Sequence, residues 1–168
     1  MGFIPEEDSE AKKKRVYIET TVVSYFTARP SRDIIIAGRQ EITRELWPKL
    51  ATDYKVYTSA LVYQEVGRGD GDQAGKRLAA ISPFPMLDID DAAKTLAEKI
   101  IAARGIPPEY PEDALHIALA AVNGMDVVIT WNFAHLNNPF TRTMIRRIVE
   151  NEGHECPEIC SPDEILEA

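Results

Sequence analysis

The sequence contains little of what marks several large classes of protein. Only 2 of its 168 residues are cysteine, too few for a disulfide framework. No stretch approaches the roughly 20 apolar residues that cross a bilayer, and the chain starts acidic and polar where a secretory signal is basic and then apolar. A glycine-rich phosphate loop of the Walker type is also missing, which argues against an enzyme built on such a loop. We therefore expect a soluble, cytoplasmic protein without membrane association.

The two cysteines, Cys156 and Cys160, lie close together near the C-terminal end of the sequence. With His154 they offer at most three soft ligands, fewer than a closed tetrahedral zinc site requires. A local disulfide is not expected in a reducing compartment. We interpret both cysteines as thiols that pack against their neighbours or are idle.

Basic residues are outnumbered by acidic ones. The chain has 19 lysines and arginines and 27 aspartates and glutamates, so its net charge is -8. Such a balance argues against broad attraction to nucleic acid, which normally requires a basic face. It does not exclude an enzyme that acts on nucleic acid, because carboxylates that hold metal ions contribute to the negative sum. The basic run 12–15 is interpreted as a solvated tail, with a phosphate contact as the alternative.

Strand and helix patterns alternate along the chain after a polar beginning. Residues 1–14 are predicted to be a flexible leader, and residues 15–168 a single domain. Runs rich in β-formers predict strands at 16–18, 55–58, 86–89 and 127–130, with a last short strand in the tail. Helical periodicity and capping residues predict helices at 33–50, 60–67, 76–81, 91–103, 111–122 and 141–150. This alternation predicts a three-layer α/β/α sandwich with a mostly parallel central sheet.

Four polar residues stand at positions where such a fold gathers functional side chains. Glu19 follows the first predicted strand, and Asn132 follows the strand at 127–130. Sites in parallel sheets form beyond the carboxyl ends of the strands. Glu65, in the helix at 60–67, and Asp113, in the first turn of the helix at 111–122, are added as acids inside predicted helices. Taken singly, Asp113 also fits a helix-dipole role and Glu65 an ordinary surface charge.

Three carboxylates in one place favour a bound cation. Two carboxylates about 4 Å apart repel by roughly 4 kcal/mol at an effective dielectric of about 20, and a hard cation such as Mg²⁺ or Mn²⁺ relieves that repulsion through oxygen ligands. Thr20 and Thr130 are predicted to add hydroxyls to the site. His116 is interpreted as a hydrogen-bonded histidine at the margin of the core, and Trp131 as a packing residue or a base-stacking surface.

These motifs resemble a known family in their order and spacing. The runs VYIETT at 16–21, the helix start with acid at 59–65, EDALHIA at 112–118 and VITWN at 128–132 resemble the motifs of PIN-domain nucleases, and most closely those of VapC-like toxins of type II toxin–antitoxin systems. The resemblance covers about residues 15–166. It implies a Rossmann-like sandwich, Mg²⁺- or Mn²⁺-dependent endoribonuclease activity, a homodimer, and inhibition by a small antitoxin protein.

The resemblance also assigns roles to the four polar residues. It places Glu19 at the position of the first aspartate of the family, Glu65 at that of the helix glutamate and Asp113 at that of the third acid, so these three are the expected metal ligands. Asn132 falls where a fourth acid is common, and it is neutral. We therefore expect one firmly bound ion and a weaker second one. The alternative is a non-catalytic module of the same fold that binds RNA or a partner through an incomplete acidic site.

Overall fold

A five-stranded parallel sheet forms the centre of the part of the chain that the computed structural model describes, residues 13–168. Its strands are β1 (Arg15–Ile18), β2 (Lys55–Ser59), β3 (Met86–Leu87), β4 (Val127–Ile129) and β5 (Glu158–Cys160). Their order across the sheet is β3-β2-β1-β4-β5. The predicted leader lies outside the described residues except for positions 13 and 14, and the extent of the single domain stays a prediction.

Eight helices in the described residues connect or follow these strands. They are α1 (Thr20–Thr27), α2 (Ile34–Asp53), α3 (Ala60–Val66), α4 (Gly71–Ile81), α5 (Asp91–Ala102), α6 (Pro111–Val122), α7 (Pro139–Asn151) and α8 (Pro162–Leu166). Within residues 13–168, none of these helices combines the length and the apolar character that a membrane span needs.

Both faces of the sheet are covered, which confirms the predicted three-layer architecture. Consecutive side chains of a strand point to opposite faces, yet Val16, Tyr17 and Ile18 are all fully buried. Helix α1 packs against α2 and α4, whereas α5 packs against α6 and α7. Right-handed connections between parallel strands in this order assign the first set to one face and the second set to the other.

The buried face of α2 differs from the prediction. The apolar pattern of the sequence predicts a buried face of Ile34, Ile35, Ile42, Leu46 and Trp47, but Ile34 and Ile35 are 85% and 63% exposed. The buried positions of α2 are Gln40, Thr43, Leu46 and Leu50. These recur every three or four residues and define one helical stripe, from which Ile34 and Ile35 point away. Gln40 and Thr43 thus belong to the buried face of α2, and the hydrophobicity of the sequence could not identify this face because both residues are polar.

The predicted loop at 67–75 is also shorter than expected. Helix α4 begins at Gly71, because the carboxylate of Asp70 accepts a hydrogen bond from Gln73 N at 3.2 Å and caps the first turn. The glycines of this stretch suggested a loop, and the N-cap outweighed their low helix propensity.

The strand order creates a topological switch point between β1 and β4. From β1 the chain continues to β2 on one side, and it later returns to place β4 on the other side, with Ile18 opposite Ile129. In open parallel sheets the crevice beyond the carboxyl ends of two such strands is the usual ligand site. The residues that follow Ile18 and Ile129 therefore meet at this crevice.

Candidate active site

Glu19 is the buried acid at the end of β1. Its backbone N–H donates to the carbonyl of Ile129 at 3.1 Å, which ties it to the neighbouring strand β4. Its Oε1 atom accepts hydrogen bonds from the hydroxyl of Thr130, at 2.6 Å, and from the hydroxyl of Thr21. Burial raises the pKa of Glu19, although the positive charge of His116 and both hydroxyls oppose that change. The crevice thus contains a carboxylate whose negative charge is poorly solvated.

Glu65 reaches the same region from α3. Its Oε1 atom accepts hydrogen bonds from the hydroxyl of Thr20 at 2.9 Å and from Nε2 of His116 at 2.5 Å. Burial alone would raise the pKa of Glu65, but the hydrogen bond and positive charge of His116, with help from Thr20, outweigh it and lower the pKa. Glu65 is therefore held as a carboxylate near neutral pH.

His116 is fully buried between the acids, not at the margin of the core as the sequence suggested. Burial would lower its pKa, yet the hydrogen bond to Glu65 and the charges of Glu19, Glu65 and Asp113 raise it. The feature of the sequence that could have indicated His116 as a site residue was its spacing of three residues from Asp113 on α6. What the sequence could not reveal is that Glu65, on another helix, lies directly opposite the imidazole ring.

A chain of hydrogen bonds extends from His116 into the core. Nδ1 of His116 lies 2.6 Å from the hydroxyl of Tyr17, which lies 2.8 Å from Oγ of Ser59. Oγ of Ser59 accepts from Val62 N at 3.2 Å. When His116 is an imidazolium, Nε2 donates to Glu65, Nδ1 donates to the hydroxyl of Tyr17, and that hydroxyl donates to Oγ of Ser59. The chain fixes the imidazole and hence the carboxylate of Glu65.

Asp113 is held by a second histidine. Its Oδ2 atom lies 2.9 Å from Nδ1 of His135, and the ring of His135 stacks on Tyr110 with centroids 3.8 Å apart. The sequence offered no reason to include His135, because the residue lies in a loop 22 positions away from Asp113. The contact makes His135 part of the candidate site.

Asn132 shapes the turn that carries His135. Its side-chain oxygen accepts from His135 N at 3.1 Å, and its own N–H donates to the hydroxyl of Thr130 at 2.9 Å. The backbone carbonyl of Asn132 accepts from Leu136 and Asn137. The amide at the expected position of a fourth acid therefore organises the local backbone.

The donor set suits a hard divalent cation in its chemistry. Glu19, Glu65 and Asp113 offer only oxygen atoms, which Mg²⁺ and Mn²⁺ prefer. Within the described residues, Oε2 of Glu65 and Oδ1 of Asp113 accept no hydrogen bond. The same residues contain no three His, Cys, Asp or Glu side chains grouped closely enough to form a ready metal cage. The carboxylates are held separately, each by a hydroxyl or a histidine.

Comparison with known families agrees with this arrangement. The family model of the PIN domain matches residues 16–135, a range that contains all four polar residues and both histidines of the site. The chain belongs to the PIN domain family. PIN domains are nucleases, and they generally use divalent metal ions.

Two solved structures share the fold of this PIN domain. A chain of VapBC2 from Rickettsia felis, whose crystal structure contains a DNA fragment from its promoter, matches with a TM-score of 0.57 at 12% identity, over 88% of this chain and 98% of that one. VapC20 from Mycobacterium tuberculosis, a toxin that cleaves the sarcin-ricin loop, matches with a TM-score of 0.53 at 18% identity, over 71% and 92%. None of the curated proteins matches the sequence.

The cysteines lie away from these contacts and pack against the core. Both are free thiols, and Sγ of Cys156 lies 3.4 Å from the carbonyl of Pro157. Burial raises the pKa of Cys156 to about 11 and that of Cys160 to about 12. Both thiols are therefore protonated near neutral pH and poorly nucleophilic.

Proposed function

We propose that this PIN domain is a metal-dependent endoribonuclease that hydrolyses RNA phosphodiester bonds. The observation that carries the proposal is the set of three carboxylates around His116 at the switch point of the sheet, in a family of nucleases. Glu19, Glu65 and Asp113 would hold Mg²⁺ or Mn²⁺. When bound, such an ion supplies a nucleophile near neutral pH and stabilises the charge that builds on the phosphoryl group.

The surrounding residues orient the carboxylates and offset part of their negative charge. The hydroxyls of Thr20 and Thr130 donate to Glu65 and Glu19 respectively. The imidazole of His116 compensates part of the negative charge. These contacts stabilise a cluster whose charges would otherwise repel one another.

Asn132 and His135 act on the third acid. Asn132 fixes the turn through His135 N, and the ring of His135 binds the carboxylate of Asp113. We assign Asn132 to the site as a positioning residue. This role accounts for a neutral amide at a position where the family commonly has an acid.

The proposal predicts that Asp113→Asn abolishes RNA cleavage while the fold is retained. Cleavage of a labelled RNA in Mg²⁺ or Mn²⁺ should fall by at least about 100-fold, because a metal ligand and a negative charge are lost. Circular dichroism should be unchanged. The matched control is Glu112→Gln, the neighbouring acid in the same helical turn, which should cleave like the wild type.

Cleavage by the wild type that continues in EDTA would contradict metal dependence. Equal loss of cleavage in Asp113→Asn and Glu112→Gln would instead indicate a general effect of charge in the first turn of α6.

We further propose that the protein is the cytoplasmic toxin of a toxin–antitoxin pair, forms a homodimer, and is inhibited by a small partner protein. The support is the shared fold with VapBC2 and VapC20. The test is the gene immediately upstream. A short reading frame there whose co-expression relieves growth inhibition would support the pairing. Absence of such a frame would contradict the toxin assignment and leave the nuclease assignment standing. Light scattering of the purified chain tests the dimer.

The second candidate is a non-catalytic module that binds RNA or a partner. It is favoured by the neutral side chain of Asn132 and by its use in the local turn. Calorimetry separates the two candidates. A lack of divalent-ion binding at millimolar concentration, together with intact RNA binding, would select the module.

A further inference from the structure

An arginine and three aromatic rings form a cluster beside the acids. The rings of Tyr25 and Trp131 have centroids 5.9 Å apart, and those of Trp131 and Phe133 are 6.0 Å apart. The guanidinium of Arg39 lies 5.6 Å from the ring of Trp131 and 5.0 Å from that of Phe133. These residues come from α1, α2 and the segment after β4, so tertiary packing alone brings them together.

The cluster is joined directly to the acidic site. Trp131 N donates to the hydroxyl of Thr21 at 2.9 Å, and that hydroxyl donates to Glu19. Phe133 N donates to the carbonyl of Trp131 at 2.9 Å within the same turn that carries Asn132 and His135. The Phe133 ring is thus carried by the turn that also holds Asn132 and His135.

Only one of these rings offers much surface to a ligand next to Arg39. Trp131 is buried, and its Nε1 donates to Thr43 at 2.9 Å, so it is a packing residue. Phe133 is 38% exposed. An exposed phenylalanine ring held by a buried tryptophan is a rigid surface for stacking.

The charge of Arg39 is not neutralised by a carboxylate. Among the described residues Arg39 makes no ion pair, whereas Arg44, Arg142 and Arg146 each contact a glutamate. Its guanidinium donates to the hydroxyl of Tyr25 at 3.5 Å. In a chain with net charge -8, this leaves a cation beside the acids for the phosphate backbone of a nucleic acid.

We propose that Phe133 and Arg39 form a nucleobase-binding subsite of the acidic site. An unpaired base stacks on the ring of Phe133, and the guanidinium of Arg39 contacts the adjoining phosphate. A base inside a duplex has both faces covered and cannot stack there, so the subsite selects nucleotides that are unpaired. This inference rests on the proposed function, because it requires RNA to reach the carboxylates.

The test measures binding separately from cleavage. The probe is a short single-stranded RNA that contains 2-aminopurine, whose emission falls on stacking, and binding is titrated in EDTA and again in Ca²⁺. Phe133→Ala and Phe133→Leu should each weaken binding by about tenfold and remove the fall in emission. Phe133→Tyr keeps the ring and should bind like the wild type. Phe140→Ala, an 84% exposed phenylalanine of α7, is the control and should also bind like the wild type.

Arg39 has its own readout. Arg39→Gln should make the fall of log affinity with log salt concentration less steep. The magnitude of the slope should decrease by about 0.7, the value for one phosphate contact on a single strand. A blunt duplex of the same sequence should bind wild type and Phe133→Ala equally.

Three results would overturn the subsite: wild-type affinity in Phe133→Leu, equal losses for single strand and duplex in Phe133→Ala, or no binding of the single-stranded probe by the wild type. Failure of the proposed function has a different signature. Then the RNA binds and stacks as described, but it is not cleaved in Mg²⁺ or Mn²⁺.

Discussion

At the scale of single residues, His116 determines the electrostatics of the site. It is fully buried, touches both Glu65 and Tyr17, and lies within the field of three carboxylates. The raised pKa of His116 and the lowered pKa of Glu65 mean that an imidazolium and a carboxylate stabilise each other in the folded protein. The same contact stabilises the fold and orients a proposed metal ligand.

Substitution of this histidine should have a pH-dependent cost. His116→Gln removes a buried partner of Tyr17 and Glu65, which should lower the free energy of unfolding by about 1 to 3 kcal/mol. A raised folded pKa of histidine stabilises the fold fully below its unfolded pKa of about 6.5, and a lowered pKa of glutamate stabilises it above about 4.3. The difference between wild type and variant should therefore be largest between these values.

As pH rises through the folded pKa of His116, the imidazolium no longer stabilises the fold. The difference in the free energy of unfolding between wild type and His116→Gln should therefore shrink. Urea unfolding of both proteins at about pH 5.5 and about pH 9 measures it. A difference that stays constant or grows with pH would show that the imidazole is neutral throughout.

The sequence predicted the place of a residue in the fold where that place has a local meaning. Glu19 could be located because it follows a buried strand, and Asp113 because it lies in the first turn of a helix. The contacts of His116 and His135 could not be predicted. Their partners lie 51 and 22 positions away, and no local pattern encodes such a separation.

At the scale of helices and strands, most ends follow local capping rules. The sequence predicts Ser59 as the N-cap of α3 and Asp90 or Asp91 as that of α5; Ser59 and Asp90 are the caps, and α6 spans the expected 111–122. One helix end departs from the usual chemistry. Arg104, the residue after the C-cap of α5, has φ 63°, whereas glycines occupy the equivalent positions after α6 and α7.

The end of α5 should therefore tolerate a stabilising substitution. Arg104→Gly relieves the contact of Cβ with the backbone in the left-handed conformation, and should raise the free energy of unfolding by about 0.5 to 1 kcal/mol after the entropy of the unfolded chain is counted. The exposed side chain of Arg104 makes no ion pair among the described residues. Arg104→Ala, which keeps Cβ, is the control and should leave stability nearly unchanged. Thermal unfolding measures both.

If Arg104→Gly and Arg104→Ala changed the melting temperature equally, the arginine side chain would be responsible, and backbone strain would be excluded as the cause.

At the scale of the whole molecule, the sheet order gathers side chains that are remote in sequence. Because β4 returns beside β1, Thr130 reaches Glu19, and the turn after β4 brings His135 to Asp113. The result is a concentrated negative charge on one edge of a chain that is already acidic overall. A folded protein of this kind gains stability from any cation that binds the native state alone.

Divalent ions should accordingly raise the melting temperature. At a concentration about 100 times the dissociation constant, the gain should be about 2.7 kcal/mol. Differential scanning fluorimetry with Mn²⁺, and again after EDTA, measures it. Asp113→Asn should lose most of the increase, whereas Glu112→Gln should keep it. An equal increase in both variants would place the ion outside the proposed site.

The sequence by itself determined most of the helices and strands of this protein and the positions of its candidate site residues along them. Strand and helix patterns, capping residues and polar residues at strand ends are relations between near neighbours, and these are readable along the chain. Only the tertiary structure decided which side chains meet: His116 with Glu65, His135 with Asp113, and Arg39 with Phe133. It also decided that polar Gln40 and Thr43, and not Ile34 and Ile35, face the interior from α2. The physical reason is that burial and pairing depend on strand order and helix packing, which bring together residues with no local relation in sequence.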